Sequence, residues 1–393
     1  MDYSYRVHNT YTMKLKLLIF FLGCSPLCFA QIIDIDISAR VDTTNTEINQ
    51  VYHLYKGYIN SKPDSLYQNP FWNRAEIERY HKAGLNSPDN FSLFGNGSYQ
   101  ISSLNYFVPK ILQIDKVEYG RYQVKTIFAA RSEDKDYKQF SPIGISKLYA
   151  VKDGSGNYKL ENVIDYDTRK WKKYKYKYIT YIVHPLCEFN KMKAKNAVAF
   201  CDKTVSRFNL QKPGEITYYI TPNSDELGKI LNFDYWLSYS TGRALPHFRT
   251  IYTGFPDEDF KHELLHLIFP TAPNGIRPFI INEGIATWLG GPSHDETFDD
   301  ALRIFSMQIK DKDVSLDDII SNTYRNPLDN NPVYLAGAVI CKLVYESHGV
   351  AGINKLLDCR QEQVALEQLL EELFNMPYKK VDTFIIDYIK NYS

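Results

Sequence analysis

Net charge is the first thing this sequence lacks: 46 Lys and Arg side chains face 46 Asp and Glu in 393 residues, with a pI near 7.1. Without a positive surplus there is no long-range field to gather a polyanion, which argues against nucleic acid as a partner. Cysteine is also scarce. Of six, Cys24 and Cys28 lie near the N-terminus, and Cys187, Cys201, Cys341 and Cys359 are too scattered to form a zinc-finger pair or a disulfide scaffold. Two bridges in any of three connectivities, or buried free thiols, remain open. No repeat or low-complexity segment occurs, and no apolar run approaches the roughly 20 residues a membrane-crossing helix needs. No transmembrane span is expected in the mature chain. What the chain does have is 44% hydrophobic residues and 31 tyrosines, a composition that excludes disorder, collagen and coiled coil.

Met13-Lys-Leu-Lys precedes the short apolar run Leu17–Leu22, then Gly23, Ser25 and Pro26, and Cys28-Phe-Ala30 before Gln31. A basic start, a brief apolar core and a small residue at the cut site make a secretory signal over residues 1–30, with translation starting at Met1 or Met13. A secreted or periplasmic protein is expected, with Gly23-Cys24 as a secondary, lipoprotein-type cleavage site.

The length favours two domains. Over 31–178, apolar residues at helical spacing (Ile48, Val51, Tyr52, Tyr55, Tyr58) and a second helix near Trp72–Tyr80 precede strands at 108–114, 122–129, 145–151, 158–164 and 174–183, with Asp153–Asn157 as a hairpin turn. Helices followed by an antiparallel sheet make an α+β accessory unit whose outline resembles the cone-shaped domains of nuclear transport factor 2. Lys170–Tyr178 alternates lysine with aromatics, which reads as a solvated basic strand face over a buried tyrosine face. Residues 179–393 read as mostly helical: 189–208, 257–269, 278–289, 296–309, 333–348, 350–358 and 363–374, with a strand at 215–221.

The chemistry gathers in one of these helices. His262-Glu263-Leu264-Leu265-His266 sets two imidazoles four residues apart, on one helix face, with Glu263 beside them. Pro278–Trp288 is an apolar helix interrupted by Glu283, sixteen residues separating it from His266, and that carboxylate is costly to bury unless it is paired or metal-bound. His262, His266 and Glu283 make a three-ligand zinc set that leaves a coordination position open, the pattern of a catalytic rather than a structural site.

His262–His266 followed by Asn282-Glu283-Gly284-Ile285-Ala286 resembles the gluzincin metallopeptidases, in particular relatives of aminopeptidase N and the smaller peptidase-MA-like proteins. The resemblance spans roughly residues 185–375. It implies a zincin-like fold, one Zn2+ per chain, a peptide or protein substrate, and Glu263 as general base acting on a zinc-activated water. Tyr334-Leu-Ala-Gly337-Ala338 resembles the Tyr-x-x-Gly-Ala helix of the same group and puts the family's transition-state tyrosine on Tyr334. No Gly-Ala-Met-Glu-Asn run precedes the motif. Gly242–Ile251 stands in its place as a candidate edge strand, so recognition of a free amino terminus is not implied. His247 and His294 read as surface histidines. The alternative to an enzyme is a zincin-like binding or scaffold protein without turnover.

Overall fold

The computed structural model describes residues 35–61, 69–85, 88, 107–131, 140–236, 241–270, 277–321, 324, 332–360 and 362–392. The expected signal segment, with Cys24 and Cys28, lies outside them. The architecture is a mixture of helix and strand, with two sheets and a helical C-terminal region.

The first sheet runs β1 (Asp36–Ile37), β2 (Phe107–Glu118), β3 (Arg121–Arg131), β4 (Phe140–Lys152) and β5 (Tyr158–Glu161), antiparallel throughout except for the β1–β2 pair. Helices α1 (Thr46–Ile59) and α2 (Arg74–Lys82) flank it, each started by an asparagine, Asn45 or Asn73, whose side chain accepts the first free backbone N–H groups. Val51, Tyr55, Tyr58 and Ile59 of α1 meet Ile111, Val124, Phe128 and Leu160 of the sheet in one core. The Asp153–Asn157 turn closes β4 onto β5: Asp153 Oδ1 accepts from the N–H groups of Ser155 and Asn157. After the short helix α3 (Ile164–Asp167), the chain leaves this sheet and returns to it once, when β9 (Phe233–Trp236) pairs with β4.

The half expected to be mostly helical also carries a five-stranded mixed sheet, in the order β10 (Gly242–Leu245), β11 (Thr250–Thr253), β8 (Ile216–Ile220), β7 (Ile179–Val183), β6 (Lys172–Tyr176). Its central strands, Ile-Thr-Tyr-Ile-Val, Ile-Thr-Tyr-Tyr-Ile and Thr-Ile-Tyr-Thr, are β-branched and aromatic and almost wholly buried, as parallel strands covered on both faces should be. The stretch 174–183, expected as one strand, is a hairpin: the backbone turns through Lys177 at φ 49°, and β6 pairs antiparallel with β7 across the boundary expected at 178/179. On β6 the lysines Lys172, Lys173 and Lys175 are exposed, while Tyr174 stacks flat on Phe189 with ring centroids 4.3 Å apart.

Helix α4 (Lys191–Phe208) connects β7 to β8, and α5 (Ser224–Ile230) follows β8. Then come α6 (Lys261–Ile268), α7 (Phe279–Gly290), α8 (Phe298–Ile309), α9 (Leu316–Ile320), α10 (Pro332–Leu357, bent at Gly349), α11 (Gln363–Phe374) and α12 (Tyr378–Lys390). Helix α6 begins four residues later than its apolar pattern suggests, and just before it Glu258 accepts the N–H of Asn190 at 2.7 Å. Cys187, Cys201, Cys341 and Cys359 are free thiols, the last three buried. Among the described residues no helix is long and apolar enough to cross a membrane.

Candidate metal and catalytic site

Helix α6 lies between two cores. Phe260, Leu264, Leu267 and Ile268 pack against the central strands of the second sheet, and Leu265 and Phe269 pack against the C-terminal helices. Between these two stripes the helix presents His262, Glu263 and His266. Helix α7 is buried nearly all round, and it closes on α6 where Gly290 lies against the backbone of Lys261 and His262 with no room for a β-carbon. That contact holds Glu283, two turns earlier, opposite the two histidines.

The three expected ligands do come together. His262 Nε2 is 3.1 Å and His266 Nε2 3.5 Å from Glu283 Oε2, and the three donor atoms lie within 4.8 Å of one another. A tetrahedral zinc ion with bonds of about 2.0–2.1 Å holds its ligand atoms about 3.3 Å apart, close to both of these distances to Glu283. The orientation of the His262 ring fits as well. His262 Nδ1 lies 2.9 Å from the Gly291 carbonyl, an acceptor only, so Nδ1 carries the proton and Nε2 turns its lone pair toward the shared point. Asn282 sits beside His266 and Glu283: its side-chain amide donates to Glu283 Oε1 at 3.2 Å and lies 3.3 Å from His266 Nδ1.

Glu263 is buried, which raises its pKa despite the neighbouring imidazoles. Its carboxylate accepts the backbone N–H of Ala244, on the edge strand β10. For Glu283 burial works in the same direction, but the two imidazoles set against its Oε2 outweigh it and hold the carboxyl well below the usual range. Burial opposes a charge on His266, and the Glu283 carboxylate more than offsets it, so its pKa is raised.

Tyr334 joins this group from α10. Its ring stacks on that of His262 with centroids 5.7 Å apart, its hydroxyl bonds Glu283, and burial together with the Glu283 and Glu263 charges pushes its pKa above the ordinary tyrosine range. The placement follows from a glycine crossing. Gly284 and Gly337 lie backbone against backbone, where a β-carbon on either would collide with the other helix. Gly337 is one turn after Tyr334 and Gly284 directly follows Glu283, so the crossing brings the hydroxyl to the carboxylate. His247 is exposed in the turn after β10, and His294 stacks on Phe255 at 3.8 Å and makes no direct approach to the ligands that the structure records.

Two groups were not foreseen from sequence: Gly291, whose carbonyl orients His262, and Asn282, which donates to Glu283. Asn282 adjoins a ligand and carried a readable signal. Gly291 acts through its carbonyl, which no residue type announces. No family model matches the chain, and neither does any curated protein sequence.

Proposed function

We propose that the chain is a zinc-dependent metallopeptidase, exported to the periplasm or the medium, with a zincin-like catalytic unit behind an accessory unit that resembles nuclear transport factor 2. One observation carries the reading: three donor atoms of the types zinc prefers converge within 4.8 Å of one another, with a buried carboxylate and a tyrosine hydroxyl beside them and no fourth protein ligand recorded among the described residues.

Zinc bound there supplies a Lewis acid for the scissile carbonyl and makes water acidic enough to ionise near neutral pH. Glu263 takes the proton of the attacking water. Burial has already raised its proton affinity, as a general base working near neutral pH requires, and it returns the proton to the leaving amine. Tyr334 donates its hydroxyl to the oxygen that gains charge as the carbonyl becomes tetrahedral. Gly291 holds the His262 imidazole in place, and Asn282 holds the Glu283 carboxylate. The edge strand β10 puts a main chain beside Glu263, in position for an extended peptide to pair alongside.

Elemental analysis tests the reading directly. Protein purified without chelator should carry one zinc per chain, and His262→Ala, His266→Ala and Glu283→Ala should each lose it. Equal zinc in all three variants would remove the site from consideration.

A further inference from the structure

We propose that Phe279 forms the wall of a subsite that takes an apolar or aromatic side chain of the peptide, next to the bond to be cut. The proposal rests on the peptidase reading and names its substrate class. Phe279 lies four residues before Glu283 on α7, so the two share a helix face one turn apart, with β-carbons about 6 Å from each other. Helical side chains lean toward the N-terminus, so Glu283 reaches toward the turn that carries Phe279. The Phe279 ring lies 5.8 Å from the Tyr334 ring, itself 5.7 Å from that of His262.

Exposure sets this residue apart. His262, Glu263 and Glu283 are 3–8% exposed, whereas Phe279 is 54% exposed. The core does not need it, because Ile280, Ile281 and Ile285 of the same helix fill the interior. Isolated exposed apolar residues are ordinary on a protein surface, as Leu186 and Met307 are here. An uncovered aromatic ring at the lip of an otherwise buried polar centre is different, since apolar walls around a few convergent polar groups are how ligand sites are built. The carboxylates of Glu263 and Glu283 behind it select against acidic side chains, and a ring offers edge-to-face contact to another ring.

The test measures binding apart from turnover. Zinc-loaded Glu263→Gln protein is titrated with matched hexapeptides carrying Phe, Leu, Ala or Asp at each position in turn. At one position, Phe and Leu should bind at least about tenfold more tightly than Ala, the scale on which apolar pockets discriminate. Adding Phe279→Ala should collapse that ratio, and adding Phe279→Leu should keep most of it, with zinc content unchanged in both. Equal ratios with and without Phe279, or no binding of any peptide, would overturn the subsite. Side-chain selectivity that depends on Phe279, in a chain whose intact Glu263 form cleaves none of the same peptides, would overturn the peptidase reading and leave the subsite standing.

Discussion

The two halves of the molecule each bury a glutamate, and they satisfy it in opposite ways. Glu76, on α2 in the N-terminal half, is 5% exposed, and its carboxylate accepts from Arg79 Nη2 at 2.7 Å, the Asn162 N–H at 3.1 Å and Asn162 Nδ2 at 3.2 Å. Burial raises its pKa while the Arg79 guanidinium pulls it back. Asn162 in turn bonds Tyr80 and Asn232, so the cluster is closed by fixed donors. Glu263 is buried to a similar degree, yet it accepts one backbone N–H and faces two imidazoles and a second carboxylate. A buried acid closed by its own chain is a structural joint. A buried acid left among groups that can shed or take protons is set up for chemistry.

The largest effect that would break this contrast is at Glu263. Glu263→Gln keeps size and shape but cannot accept a proton, so peptide hydrolysis should fall by roughly 100-fold or more with zinc retained. Zinc-loaded protein that turns over peptide at the wild-type rate would reject the assigned base.

Tyr334→Phe comes next. If the hydroxyl meets the oxyanion only as the tetrahedral species forms, its loss removes transition-state binding worth roughly 3 kcal/mol, so kcat drops and KM stays near wild type. A ring that merely packs against His262 would lose little, because Phe preserves the stack. Steady-state kinetics on folded, zinc-loaded protein separates the two.

Much of this site is legible in the sequence, because helical geometry converts spacing into direction. His262 and His266 four apart, and a lone Glu283 in an apolar run, announce themselves. What is not legible depends on distant partners. Strands β10 and β11 are four residues each, and β11 is held by β8 some thirty residues earlier, a pairing that local pattern does not encode. The hairpin of β6 and β7 hides because its turn uses Lys177 in a left-handed conformation usually left to glycine or asparagine. Phe279 reads as one more core residue of α7 until its exposure is seen.

The structural glutamate should answer to stability and not to activity. Glu76→Gln sets an amide N–H2 among donors and gives up the charge-assisted bond to Arg79. Denaturant unfolding should show a loss of about 1–3 kcal/mol with zinc content and kcat unchanged. A fall in kcat with stability intact would erase the distinction between the two glutamates.

The smallest expected effect lies at Glu47, a carboxylate of the N-terminal half served by donors rather than starved of them, because it is 31% exposed and solvent screens its ion pairs. It accepts from Lys152 Nζ at 2.8 Å, Tyr122 Oη at 2.7 Å and Tyr158 Oη at 3.0 Å, and these bonds, Lys152 first, lower its pKa from 4.5 to about 2. A depressed carboxyl pKa adds stability that is complete above the unfolded value and is lost as pH falls toward the folded one. Glu47→Gln should therefore lower the denaturation midpoint at pH 7, and the gap to wild type should begin to close below about pH 4.5. At pH 3, one unit of a window of about 2.5 remains, so under half of the gap should survive. A gap of constant size between pH 7 and pH 3 would show that Glu47 acts through its shape and hydrogen bonds alone, with its charge contributing nothing.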